Sequence, residues 1–143
     1  EISAFSEPGA ESLHNLKYWM NEITLGFGPS AASYSQGYRY QNYRSLTNWQ
    51  KQWDSKGLFA SCERIHSKNA ILETFMLQFR LIRGIAVKEL NSAHEQYPEL
   101  EIKDRVDRLV SKGLLEVCKY GHRVGLSMEG RLFANEVFLE FVD

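Results

Sequence analysis

Ser67 divides this chain by the rhythm of its apolar residues. Beyond it Ile71, Leu72, Phe75, Met76, Phe79 and Ile82 recur at intervals of three and four, the repeat that lines one stripe of an α-helix. Before it the apolar runs are short, as in Ile23-Thr24-Leu25-Gly26-Phe27, and sit among Gly, Ser, Tyr and Asn. Runs of that length suit strands and are too short for helices. An α+β chain is therefore expected: strands and loops over residues 1 to about 45, a short helix from about 45 to 56 carrying Leu46, Trp49 and Trp53 and stopping at Gly57, then a mainly helical second half.

That second half has a recognisable order. The helix beginning at Ser67 is expected to end at Gly84. A second fits residues 86 to about 95, ahead of Pro98, because the residue before a proline is pushed out of the helical region. A third, from about 99 to 112, places Ile102, Val106, Leu109 and Val110 on one face and stops at Gly113. Leu114–Val117 and Arg123–Leu126 read as strands around the turn Lys119-Tyr120-Gly121-His122, and Ser127 caps a last helix through Phe133, Val137, Leu139 and Phe141. Helices followed by a hairpin and a helix give the order of a winged-helix unit, with a domain boundary near residues 57–68.

A winged helix invites a nucleic-acid reading, and the charges oppose it. Along the third helix Glu99, Glu101, Asp104 and Asp107 alternate with Lys103, Arg105, Arg108 and Lys112, so carboxylates would repel phosphate where the basic residues attract it. The only local basic spot is Lys119, His122 and Arg123 at the wing tip. Over all 143 residues, 17 Lys and Arg balance 18 Asp and Glu to a net charge of −1, too small for long-range steering towards nucleic acid or anionic lipid. With 43% hydrophobic and 24% charged residues the composition is that of an ordered globular protein. No run approaches the ~20 apolar residues of a membrane helix and no signal-peptide pattern opens the chain, so a cytoplasmic location is expected. Cys62 and Cys118 lie far apart in sequence and read as two reduced thiols, too few to hold an iron–sulfur cluster. A start at Glu1 rather than Met suggests a processed or cut chain.

Chemistry concentrates near the beginning. His14-Asn15-Leu16-Lys17-Tyr18-Trp19 sets an imidazole beside two large rings, and a neutral imidazole is a good axial ligand for haem iron. Read as a strand, the segment places His14, Leu16 and Tyr18 on one face and Asn15, Lys17 and Trp19 on the other. The same spacing suits a histidine and aromatics packing a barrel wall, the reading favoured by spacing alone because no second ligand cluster is visible. His66, His94 and His122 are scattered, without a Cys, Asp or Glu at metal-site spacing. Gly26-Phe27-Gly28-Pro29-Ser30 lacks the Lys of a phosphate-binding loop and the third Gly of a dinucleotide fingerprint, and reads as a tight strand end near a ligand. Arg80 and Arg83 could meet carboxylates or answer a helix dipole. No nucleophilic triad can be assembled.

Four segments taken in order, the His14–Trp19 run, Leu25-Gly26-Phe27-Gly28-Pro29 through Ala32-Ser33-Tyr34, Glu73-Thr74-Phe75-Met76-Leu77-Gln78-Phe79-Arg80-Leu81-Ile82-Arg83-Gly84-Ile85, and Gly130-Arg131-Leu132-Phe133-Ala134-Asn135-Glu136-Val137-Phe138, resemble the C-terminal portion of the oxygen-independent coproporphyrinogen III oxidase family of radical-SAM proteins. The resemblance implies a partial (β/α) barrel, whose three-cysteine motif holds a 4Fe–4S cluster and S-adenosylmethionine, and a helical winged-helix-like C-terminal domain. On that basis residues 1–60 would be the last strands of the barrel and residues 61–143 the C-terminal domain. The pattern His-Asn-x-x-Tyr-Trp resembles the haem-chaperone branch. It implies His14 as the iron ligand, Tyr18 and Trp19 facing the ring, Asn15 as a hydrogen-bonding neighbour, and Gly26, Gly28 and Ser30 in a loop beside the cofactor.

One departure stands out, since Ser30 and Ala32 occupy positions where relatives carry a Gly and a His. The implied partners are haem or another porphyrin, a haem-acceptor protein and the remainder of the barrel, with self-association through exposed strands. The implied function is haem binding for transfer to an acceptor. The alternatives are oxidative decarboxylation of coproporphyrinogen propionates and a winged-helix nucleic-acid module. Without the cluster cysteines this stretch alone would carry no oxidase activity.

Overall fold

The structure, a computed structural model, describes residues 1–54, 59–118 and 122–142. The expected helix stop at Gly57 and most of the expected wing turn, Lys119-Tyr120-Gly121, lie outside the described residues. The chain is mixed α and β with two small antiparallel sheets. It forms two compact units, Glu22–Ser67 and a second made of Glu1–Asn21 with Lys68–Asp143. Among the described residues no helix is long and apolar enough to cross a membrane.

The first 21 residues depart from the expected strands and loops. They contain helix α1, Leu13–Trp19, capped by Ser12, whose Oγ accepts the Asn15 N–H at 3.3 Å. The run Leu-His-Asn-Leu-Lys-Tyr-Trp has no β-branched residue to oppose a helix, and a serine at the cap satisfies one of its orphan amides. The segment is anchored to the larger unit by Ile2, whose N–H donates to the Arg80 carbonyl at 3.0 Å and whose side chain packs on the core.

In Glu22–Ser67, strands β1 (Ala32–Ser35) and β2 (Tyr38–Gln41) form a hairpin, helix α2 spans Leu46–Asp54, and strand β3 (Ser61–Arg64) completes a sheet of order β1-β2-β3. Gln36 and Gly37, at φ 52 and 77, form the two-residue turn with positive φ at both positions that suits the twist of a hairpin. Ile23–Phe27 is not a strand; Thr24 alone bridges Tyr34, through bonds of 2.9 and 2.8 Å. Asn42 and Gln52 are buried, whereas the strands show no fully buried residue.

The apolar core lies in the other unit. Helix α3 (Ser67–Gln78), strand β4 (Ile85–Ala86), helix α4 (Val87–Gln96), a 3-10 turn (Pro98–Leu100), helix α5 (Ile102–Ser111), strands β5 (Leu115–Val117) and β6 (Arg123–Leu126), and helices α6 (Met128–Leu132) and α7 (Ala134–Leu139) follow in order. Both sheet pairings are antiparallel, in the order β4-β6-β5, with Ile85 opposite Val124 and Leu115 opposite Leu126. Phe79, Ile85, Ile102, Leu109, Val137 and Phe141 are sealed almost completely, each burial contributing about 1.5–3 kcal/mol.

Three helix boundaries differ from the sequence expectation. α3 stops at Gln78 rather than Gly84, because the chain tightens into three-residue turns: Arg80 N–H to Leu77 O, Leu81 N–H to Gln78 O and Gly84 N–H to Leu81 O. The helix expected from residue 99 starts at Ile102, after Glu101 resets the chain at φ 49. The last helix breaks in two at Phe133, at φ −111 and ψ 32. Ser127 caps α6 as expected, its Oγ accepting the Gly130 N–H at 2.9 Å.

Candidate functional site

Because α1 is a helix, the strand-based grouping of its side chains does not hold. At 100° per residue His14 and Tyr18 are neighbours, whereas Trp19 points roughly 140° away from His14. The His14 and Tyr18 rings meet edge to face, with centroids 4.9 Å apart and planes at 84°. Both side chains are exposed, so the imidazole is open to a planar guest and the Tyr18 ring restricts its orientation. Asn15 is exposed, with its backbone N–H engaged by the Ser12 cap.

Trp19 has a separate environment. It is half-buried, and the guanidinium carbon of Arg80 lies 5.2 Å from its ring centroid and 4.5 Å from that of Phe138 on α7. One cation thus stacks on two aromatic rings, an arrangement worth on the order of 1 kcal/mol per face. Two residues after Trp19, Asn21 donates through Nδ2 to Thr74 Oγ1 on α3 at 3.0 Å, tying the exit of α1 to the core helix.

Gly26, Gly28 and Ser30 belong to the Glu22–Ser67 unit, so the structure places the loop and the histidine in different units. Gly26 donates to Ser33 Oγ at 2.9 Å, and a Cβ at Gly26 would stand 2.3 Å from the Ala32 carbonyl oxygen. Gly28 adopts φ +94 and Ser30 φ 63, and Asn42 Nδ2 holds the Gly28 carbonyl at 2.9 Å. The loop borders a cleft of about 650 Å³, within the range of small-molecule pockets, whose apolar walls include Leu25, Phe27, Tyr40, Trp49 and Phe59. Tyr40 and Phe59 lie 4.7 Å apart at ring centroids. Sequence reasoning missed Tyr40, Asn42 and Phe59. Strand pairing brings Tyr40 to the cleft, and only Asn42, a polar residue just after a strand, carried a hint that local sequence could have exposed.

Cys62 is exposed on β3 and Cys118 half-buried in the other unit, and among the described residues no three His, Cys, Asp or Glu side chains gather into a metal site. The residues present therefore do not fit a 4Fe–4S cluster, which needs several thiolates together.

No family model matches the chain. It is 30% identical, over 99% of its length, to the heme chaperone HemW of Bacillus subtilis, of which it covers 37%. Against the HemW of Synechocystis the identity is 33% over 66% of this chain and 24% of the relative. Against that of Mycobacterium tuberculosis it is 28% over 96% of this chain and 33% of the relative. The chain thus spans between about a quarter and little more than a third of the length of the curated relatives it matches. Among solved structures, coproporphyrinogen III oxidase (HemN) from Escherichia coli, described as a radical SAM enzyme, superposes with a TM-score of 0.60 over 84% of this chain and 28% of that one. At 18% identity that likeness is one of fold.

Proposed function

This chain matches the C-terminal portion of radical-SAM, coproporphyrinogen III oxidase-like proteins of the haem-chaperone branch, and on that premise we propose that it contributes a haem-binding surface with His14 as the axial ligand. The observation that carries the reading is the exposed His14 imidazole, fixed edge to face against Tyr18 at the start of a capped helix. Its neutral form offers a nitrogen lone pair to iron, and a nearby ring supplies a hydrophobic face for the porphyrin. Haem is here a cargo, held for transfer to an acceptor protein. The cluster and S-adenosylmethionine of the longer protein would be held by residues other than these, consistent with Cys62 and Cys118 being the chain's two cysteines and belonging to different units.

In the same reading the three-stranded sheet of Glu22–Ser67 derives from the end of the barrel. The succession β4, α4, α5, β5, β6 with sheet order β4-β6-β5 supports a winged-helix-like C-terminal domain. A cytoplasmic location accords with both. Haem titrated into the chain is expected to give a shifted Soret band that disappears in His14→Ala, with the far-ultraviolet circular dichroism unchanged because His14 is exposed. A Soret band identical in the variant would overturn the assignment.

A further inference from the structure

Among the described residues the buried Arg80 Nε meets no hydrogen-bond acceptor. Three other arginines are engaged: Arg123 donates to the carbonyls of Arg83 and Gly84 at 2.8 and 2.7 Å, Arg105 to that of Leu100 at 2.9 Å, and Arg108 pairs with Glu140 at 3.3 Å. Arg83 contacts the Met20 sulfur and lines a groove that Glu1 and Glu11 also line. Arg80 meets only ring faces, those of Trp19 and Phe138, and its buried Nε has no partner among the described residues. Ring faces attract the positive charge but accept none of the N–H bonds, which lie in the guanidinium plane. Next to it the Trp19 Nε1–H is also buried and unpartnered. Glu1 Oε2, His94 Nδ1 and Arg131 Nε are also buried without a partner among the described residues, but only at Arg80 and Trp19 do two such donors, one of them charged, belong to side chains in contact, and that pair calls for an acceptor.

We infer that Arg80 and the Trp19 indole N–H form a receptor for a carboxylate of the bound ligand. Resting on the haem reading, this assigns the pair to a porphyrin propionate. Contact with Trp19 and Phe138 restrains the guanidinium, whose fork can offer two parallel bonds to one carboxylate, with the indole N–H as a third donor. Trp19 follows His14 by five residues on α1, about 7.5 Å along the helix axis, so one short helix carries both the iron ligand and one wall of the receptor.

The test compares haem with haem dimethyl ester, which keeps the iron and the ring and removes both negative charges. Wild-type chain is expected to bind the free acid about tenfold more tightly than the ester, as one charge-assisted pair supplies. In Arg80→Gln that ratio should fall to near one, and in Trp19→Phe, which retains a ring and loses the N–H, it should fall part of the way. Trp19→Phe alone decides the matter should Arg80→Gln lose its near-ultraviolet circular dichroism. A ratio that persists in the folded variants, or equal wild-type affinities for acid and ester, overturns the receptor and leaves the haem reading standing. Failure of the wild-type chain to bind either compound overturns both.

Discussion

Gly84→Ala isolates what the close approach of β4 to β6 requires. Gly84 sits at φ +63, and a Cβ there would stand 2.1 Å from the Val124 carbonyl oxygen and 2.7 Å from Gly125 Cα, both backbone atoms that cannot rotate aside. The left-handed conformation costs an alanine about 1–2 kcal/mol. The steric conflict adds about 1–3 kcal/mol, because β4 must move away from β6, loosening the Ile85–Val124 pairing and the Arg123 bonds to Arg83 and Gly84. The expected loss is about 2–5 kcal/mol. Gly113→Ala provides the reference: φ there is +75, yet the nearest atom to an added Cβ is the flexible Glu129 Oε2 at 3.9 Å, so only the conformational cost of about 1–2 kcal/mol applies. Urea unfolding of the two variants, at unchanged slope, reads the difference directly. Equal midpoints would refute the claim that Gly84 is required by contact rather than by its φ alone.

Phe79→Ala empties a site with no exposure against the Phe141 ring, 5.3 Å away at centroids, and should cost about 3–5 kcal/mol in the same assay. Gly26→Ala, pressing on the Ala32 carbonyl, should rearrange the loop and weaken binding of any ligand seated in the adjoining cleft, measured by quenching of tryptophan fluorescence; an unaltered titration curve would contradict the cleft's dependence on that loop. Lys68 hydrogen-bonds Glu99 and holds its carboxyl below the usual carboxylate range. A folded pKa below the unfolded one contributes stability above the unfolded value and loses it as pH falls through the folded one, so the small melting-temperature deficit of Glu99→Gln should be present at neutral pH and vanish in acid. A deficit that grows towards acid would reverse the sign of this linkage.

The sequence made the helical half legible because its period was carried by residues that are in fact buried. Leu72, Phe75 and Phe79 face the core, as do Ile102, Val106 and Leu109, and Gly113 stops its helix by adopting positive φ. Boundaries were less legible where a tertiary contact decided them. Apolar residues continue to Ile82, yet Gly84 must approach β6, and the chain leaves the helix five residues earlier to reach it. In the other half periodicity had little to report, since strands without a fully buried residue lose the strict alternation that burial imposes, and the only sealed side chains there are the polar Asn42 and Gln52 among those described.

The site itself shows why a motif can be recognised while its geometry is misread. His14, Tyr18 and Trp19 are equally conspicuous whether the backbone has a period of 2 or 3.6, but the two periods pair them differently. Both set Tyr18 on the side of His14. Only the helix, announced by Ser12 and by the absence of β-branched residues, turns Trp19 away towards Arg80 and so separates the exposed His14–Tyr18 pair from a ring that holds a cation. The two roles proposed above thus fall on opposite sides of one seven-residue helix. Substitution at Tyr18 should therefore alter the iron spectrum of a bound haem, and substitution at Trp19 its preference for free propionates. A double variant whose two effects prove strongly non-additive would show instead that the rings act as one surface.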